Sequence, residues 1–480
     1  MKKEGATKYC NSVFEKLMPQ LAVYLNAIHE VEKSDLYWRI IVGPWLIHHI
    51  HACYLRHRGF GKEHQTLRPI WMDVEVSGPK QILRNTYAAI LDLVGRTRPI
   101  LICDIGMRHR DVWRICRASG FEAWPMIRRS GPYRSEKLNL PFRHKLELDA
   151  KKWGNDKFSH AISRKMYLNL PNIYLEGYSK MVRKGRPFLR GRQKILVSAL
   201  GWKSNERFKF IAADAAERGA TLVGSQHGAG TGVSLINPAE DFYRGYIDCF
   251  ITWGIKKVGE SEICVLPNPR IQGLIKSGNT EYKAVGGGLY VATSFPRYVA
   301  AGIRTQPMGN EVIAYMNWQK RFFAATDDIR HDFLVRLYPS EYGWNNKKEL
   351  QDSKLGLRFD DFSKDIIYRM RESRLIIIDN PQTSFIEAMV QNRPCILFFD
   401  KDVWKMNVTA RRKFEALSKV GIVQYSPESA AQFAKMIYAG PMVWWETTKV
   451  QKARQRFVNW LILEEEDWVR PWKEALEGME

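Results

Sequence analysis

The chain has 480 residues, with 74 Lys and Arg against 51 Asp and Glu, a net charge of +23. An apolar fraction of 45%, with 16 Trp, 22 Phe and 20 Tyr, excludes an intrinsically disordered protein, and the length suits two domains that each bury a core. The seven cysteines, at 10, 53, 103, 116, 249, 264 and 395, form no CxxC pair and no Cys/His metal spacing, which argues against a disulfide framework and a zinc site.

The most apolar window, 37–50, contains Arg39, Pro44, His48 and His49 and is too short to span a bilayer. The charged start of the chain reads as no signal segment, so a cytoplasmic protein, soluble or peripheral at the inner face of the membrane, is expected. The charge is uneven: residues 128–209 hold 21 Lys and Arg against 6 Asp and Glu, interleaved with Trp153, Tyr167, Tyr174, Tyr178 and Phe188. Such a stretch predicts an anionic partner. With no nucleic-acid-binding motif in view, an anionic membrane surface is preferred over nucleic acid, which stays as a rival.

Along the chain, residues 7–60 read as helices, with Val13, Leu17, Leu21 and Leu25 in an apolar stripe. Strands are then expected at 99–103, 194–200, 220–224 and 249–253, with helices through Val112 and Ile115 and over 205–217. Residues 275–288 are polar and Gly-rich, and read as a linker. A second series follows: strands at 289–292, 333–337, 375–378 and 395–399, with helices at 311–325, around 366–369 and at 384–390. This alternation predicts an α/β protein with two parallel sheets. The expected units are 1–280 with its helical N-terminal segment, 285–450, and a helical tail at 451–480.

Three stretches carry candidate chemistry. Gly228, Gly230 and Gly232 follow a predicted strand and free the backbone to approach a ligand, with Gln226 and His227 at the strand's carboxyl end. After the strand 375–378, Thr383 and Ser384 stand where a helix starts, with Glu387 one turn in. A helix start binds anions, although Ser384 and Glu387 also fit an ordinary capping box. Arg336 ends the strand 333–337 and can fork onto phosphate or carboxylate, or else pair with Asp332 or Glu341. Thr293 and Ser294, after the first strand of the second half, are weaker candidates of the same kind.

The Ser225–Gly228 tetrapeptide, the Arg-x-Tyr-Pro strand end at Arg336 and the run from Asp379 through Thr383 to Glu387 together resemble a family of bacterial surface-carbohydrate transferases found with O-antigen genes. Tyr37-Trp-Arg39, Gly43-Pro-Trp-Leu46 and Trp444-Trp445 match it too. The C-terminal part is similar to capsule, spore-coat and teichoic-acid transferases. The resemblance implies a GT-B-like fold: two Rossmann-like domains facing a cleft, with an N-terminal helical segment and a C-terminal helix.

It also implies a glycosyltransferase that takes a sugar from a nucleotide-sugar donor to a glycan or lipid-linked glycan acceptor, without metal or other cofactor. Arg336, Thr383 and Ser384 would then hold donor phosphate, Glu387 the donor ribose, and His227 would be the interdomain histidine; Gln226, Gly228, Thr293 and Ser294 are candidate donor contacts from their own strand-end positions. Tyr338 stands where those relatives have a His. Either His227, or Glu240 or Asp241 nearby, is the candidate base. A polyol-phosphate transferase and a nucleotide-sugar epimerase are the enzymatic alternatives on the same architecture.

Overall fold

The computed structural model describes residues 3–58, 79–129, 137–189, 191–278, 285–297 and 302–479. Three helices open the chain, Lys3–His29, Asp35–Ile41 and Gly43–His57, as the apolar spacing predicts. Leu17, Leu21 and Leu25 are fully buried against the third of them.

Two parallel sheets of six strands follow. The first contains β1 (Ile100–Cys103), β2 (Ala123–Met126), β3 (Ile195–Ser198), β4 (Thr221–Ser225), β5 (Cys249–Thr252) and β6 (Ile263–Val265), in the order β2-β1-β3-β4-β5-β6. The second contains β7 (Gly288–Val291), β8 (Leu334–Arg336), β9 (Arg358–Phe359), β10 (Leu375–Ile378), β11 (Cys395–Phe398) and β12 (Val423–Gln424), in the order β12-β11-β10-β7-β8-β9. Parallel strands need helical crossovers, which cover both faces of a sheet and bury the strands. Leu375, Ile376, Ile377 and Ile378 are accordingly all fully buried, each stabilising by roughly 1.5–3 kcal/mol. The result is the expected α/β arrangement of two parallel sheets, each with its own helices.

One expectation needs correction. The 275–288 stretch is not all linker: residues 275–278 finish the helix Pro269–Gly278, and β7 begins at Gly288, while 279–284 fall outside the described residues. The tail is helical, as expected, and packs on both halves. The helix Thr448–Leu461 buries Phe457 and Leu461 in the second core, and the helix Val469–Gly478 then buries Trp472 and Leu476 in the first, against Ile115 and Ile195.

Between those helices the chain passes back over the first half. Leu463 N–H donates to the Trp253 carbonyl at 2.5 Å, and the Gln272 side chain grips both the Leu463 carbonyl and the Glu465 N–H. Gly254 makes this crossing possible: a Cβ there would lie 2.4 Å from the Ile462 nitrogen, backbone that cannot swing aside. Gly254→Ala should therefore destabilise the protein by about 1–3 kcal/mol, the usual range for overpacking. Gly273→Ala, in the neighbouring helix with nothing within 4 Å of its Cβ position, should be neutral or slightly stabilising. Denaturant melts of the two variants check this; equal midpoints would contradict the crossing.

Candidate active site

In open parallel sheets, ligands sit beyond the carboxyl ends of the strands where the strand order reverses. Counted from β7, the second sheet reads 3-2-1-4-5-6, and its reversal lies between β7 and β10. The loops leaving these strands carry Thr293 and Ser294 on one side and Asp379 to Thr383 on the other. In the first sheet the reversal lies between β1 and β3. Both reversals open into the space between the halves.

His227 follows β4 and is exposed there. Its Nδ1 lies 3.7 Å from the Cβ position of Gly106, in the turn after β1, where φ is +78° and a side chain would strain the backbone. The ring is open to solvent on one side and walled by protein on the other. Burial, with the Lys203 ammonium as a lesser cause, pulls its pKa down to about 4. His227 is therefore a neutral base at physiological pH. Gln226 is buried, and its amide donates to the Gly228 carbonyl at 3.0 Å and accepts from the Trp253 N–H at 2.9 Å. It braces the loop that carries His227 and does not face the cleft.

Glu240 and Asp241 share the helix Pro238–Arg244 but differ in setting. Glu240 is 6% exposed and accepts from the Thr231 hydroxyl at 2.6 Å, with Arg244 at 3.6 Å. Burial pushes its pKa up to about 7 against the lowering effects of Thr231, Arg244 and Lys203. Asp241 turns outward, accepting from the Asn237 N–H at 3.0 Å and pairing with Arg244. It is exposed and already paired, in contrast to the buried Glu240.

On the opposite wall, the helix Thr383–Val390 starts with Gln382 as N-cap and no side-chain cap bond. The capping box of Ser384 and Glu387 is thus absent, and the first N–H groups of the helix stay open to a ligand. Thr383 and Ser384 are partly exposed at this end. Thr383 Oγ1 accepts from the Ala229 N–H at 3.4 Å and lies 3.2 Å from the Cβ position of Gly228. The two strand-end loops, one from each sheet, therefore touch. Glu387 is buried, with burial raising its pKa, and its Oε1 takes Arg270 of the helix Pro269–Gly278 at 2.7 Å.

Arg336 pairs with neither Asp332 nor Glu341. Its guanidinium engages the fully buried carboxylate of Asp360, stacks over Phe362 at 4.8 Å and donates to the Lys364 carbonyl at 2.9 Å. Asp360 holds Arg369 as well, at 2.8 Å. Arg336 is engaged before any phosphate arrives. The Thr293 backbone is tied to the Tyr315 hydroxyl, which also reaches Asp379 at 2.8 Å. Asp379 in turn accepts from Tyr290, Gln319 and Asn380, a buried knot that locks the β7 and β10 ends together. Ser294 accepts from Asn346 at 3.4 Å and edges a 210 Å³ cavity with Leu337, Tyr338, Phe359 and Phe362.

Four polar residues without an evident role in the sequence lie near His227 and Glu240: His48, His51, Lys203 and Arg304. His48 and His51 lie on the helix Gly43–His57 and are buried, which holds their pKa values down at about 3 and about 4. Lys203 follows β3 at the reversal of the first sheet. A lone Lys just beyond a predicted strand was the only signal for it; Arg304 had none.

The sequence model of the LIC12162 family transferase matches residues 1–67 and 62–476. No curated protein matches the chain. Among solved structures, the chain is similar to a UDP-forming α,α-trehalose-phosphate synthase from Burkholderia vietnamiensis, at TM-score 0.42 and 7% identity, covering 80% of this chain and 96% of that one. It is similar to MurG of Acinetobacter baumannii at TM-score 0.38 and 9% identity, covering 80% and 99%. It is also similar to Phytolacca americana UGT2, solved with UDP-2fluoro-glucose and pterostilbene, at TM-score 0.38 and 11% identity, covering 84% and 98%. At such identities the likeness says nothing about substrate. The family match runs over nearly the whole chain, both sheets included, and the chain belongs to the LIC12162 family of transferases.

Proposed function

We propose that this transferase moves a sugar from a nucleotide-activated donor to a glycan hydroxyl, with the nucleotide against the second sheet and the acceptor against the first. The observation that carries this reading is the contact of Ala229 with Thr383, which sets an uncapped helix start opposite a neutral, solvent-open histidine. In such a reaction the acceptor oxygen attacks the anomeric carbon and the bond to the nucleoside diphosphate breaks. Negative charge grows on the leaving phosphate as it departs. The open N–H groups and the positive end of the Thr383–Val390 helix, with both hydroxyls, stabilise that charge. His227 takes the acceptor proton.

The nucleoside then extends toward the cavity edged by Ser294 and Tyr338. Glu387 keeps Oε2 for a ribose hydroxyl while Arg270 holds Oε1. A surface glycan of the O-antigen or capsule kind is the acceptor class that the resemblance favours.

Thr383→Val with Ser384→Ala should weaken nucleoside diphosphate binding by more than about tenfold, as hydrogen bonds to charged groups contribute roughly 1.5–3 kcal/mol each. Calorimetry on the folded variant checks this, and an unchanged affinity would move the donor elsewhere. The base is tested by pH. A group held at about 4 is deprotonated, and able to accept a proton, at every pH above that value. The kcat/KM profile should thus stay flat from pH 8 down to about 5 and fall near 4. An acid limb near 7, where Glu240 titrates, would hand the role to Glu240.

For the basic stretch 128–209 we infer docking on anionic membrane by charge alone. Lys145, Lys151, Lys152, Lys157, Arg164, Lys165 and Arg183 are exposed, whereas Arg143 and Lys209 are buried in polar contacts. Trp153, Tyr174, Tyr178 and Phe188 lie in the core, so the expected aromatic insertion at the interface is lost. The side chains of residues 184, 186 and 190 fall outside the described residues. No helix among the described residues is long and apolar enough to cross a membrane. The protein should sediment with anionic vesicles, be released as salt rises, and ignore neutral ones. Saturable nucleic-acid binding without vesicle binding would overturn this reading.

A further inference from the structure

Lys203 and Arg304 come from different halves of the chain and approach the same helix, Pro238–Arg244, which the Lys203 helix packs against and the Arg304 segment leans on. Lys203 sits in the short helix Gly201–Ser204, at the order reversal of the first sheet. Arg304 lies beyond β7, on a segment pinned to the first half. There the Ile303 N–H donates to His51 Nδ1 at 3.1 Å, the Thr305 hydroxyl donates to the Ile236 carbonyl at 3.4 Å, and Gly302 packs on His51 and Pro238.

Neither cation has a carboxylate in salt-bridge contact among the described residues. Arg304 donates only to the Gln306 side chain at 3.3 Å, and Lys203 makes no side-chain hydrogen bond. Each is half-buried, burial lowers the pKa of both, and Arg304 lowers that of Lys203 further. Lys203 also acts on His227, Glu240 and His48. Nearby stand three histidines held neutral by burial and the carboxyl of Glu240, already engaged by Thr231 and Arg244, while the Asp104 carboxylate is held by Arg128, which also bonds Ser204.

Two partly desolvated like charges near one another, with no carboxylate paired to either, are unfavourable on their own and call for a counter-anion. A monocarboxylate would leave one cation uncompensated, whereas a phosphoryl dianion matches both, and the Arg fork suits its oxygens. The donor diphosphate has its own place, at the uncapped helix start on the second sheet.

We propose that Lys203 and Arg304 form, beside His227, an oxyanion subsite that takes a phosphoryl group carried by the acceptor. This rests on the proposed glycosyl transfer for the word acceptor, and on the cleft geometry alone for the subsite. The phosphoryl group belongs either to a soluble sugar phosphate or to a lipid-linked acceptor. Anchored there, it holds the neighbouring hydroxyl near His227, so binding and proton removal act on the same molecule.

The test is calorimetry on the full chain with inorganic phosphate and, separately, a nucleoside diphosphate. Lys203→Met and Arg304→Met should each weaken phosphate binding by about tenfold or more and leave nucleotide affinity unchanged. Arg304→Lys, which keeps the charge and loses the fork, should weaken it less and serves if the Met variant fails to fold. Glucose 6-phosphate and micellar dodecyl phosphate are the two arms that distinguish a soluble from a lipid-borne source, with glucose and a neutral detergent as blanks. Phosphate binding unaffected by either variant would overturn the proposal. So would a parallel loss of nucleotide, which would assign the two cations to the donor diphosphate. If no nucleotide binds at all while the variants still lose phosphate, the subsite stands and the glycosyl-transfer reading fails.

Discussion

The arrangement depends on one backbone crossing. After the helix Thr448–Leu461 the chain passes over Gly254, so close that no Cβ fits beneath it, and delivers Trp472 to the core of the first sheet. The Trp472 indole N–H donates to the Pro267 carbonyl at 2.9 Å, fixing that end. The second hydrophobic core also takes in Ala229, Val233, Trp253, Ile255, Ile271 and Leu274 from the first half. The halves are thus joined by continuous apolar packing as well as by the tail, and the Arg270–Glu387 pair adds a polar tie. His227 stands two residues from Ala229, so its position against the Thr383 helix start follows from this packing.

The cleft that results is electrostatically one-sided. Buried carboxylates nearby are already engaged: Glu240 by Thr231, Asp360 by two arginines, Asp379 by four side-chain donors, Glu387 by Arg270. What remains open to a ligand is positive or neutral, namely a helix start, Lys203, Arg304 and the imidazole of His227. In surroundings of low dielectric these groups act more strongly than they would in water. A site of this kind favours an anion that departs and a hydroxyl that loses its proton, the two demands of transfer from a phosphate-linked donor.

The fold was legible where residues repeat. Continuous apolar runs such as 375–378 and 395–398 fall within one residue of their strands, because strands buried on both faces need no alternation. The strands β6, β9 and β12 span two or three residues, too few to carry a period, and β2 contains Pro125, which reads against a strand and is tolerated because β2 lies at the sheet edge. In the site, His227, Thr383 and Ser384 could be found because each directly follows a strand that the pattern reveals. Lys203 and Arg304 matter because the fold half-buries them near each other with no carboxylate paired to either, which is a property of the folded cleft. The same blindness made Arg336 look available, since its partner Asp360 lies 24 residues further on. It also made the aromatics of the basic stretch look like surface, when they fill the core.

The central claim is that the two strand-end loops close on one ligand, with phosphate at the Thr383 helix start and the reacting group beside His227. A crystal structure of the full chain with a nucleoside diphosphate tests it most directly. The account predicts diphosphate oxygens within hydrogen-bond distance of the Thr383 and Ser384 amides, and the distal phosphate directed toward His227. Nucleotide bound instead in the 380 Å³ cavity lined by His29, Tyr37 and Tyr178, which includes no residue from the loops at either order reversal, would contradict it.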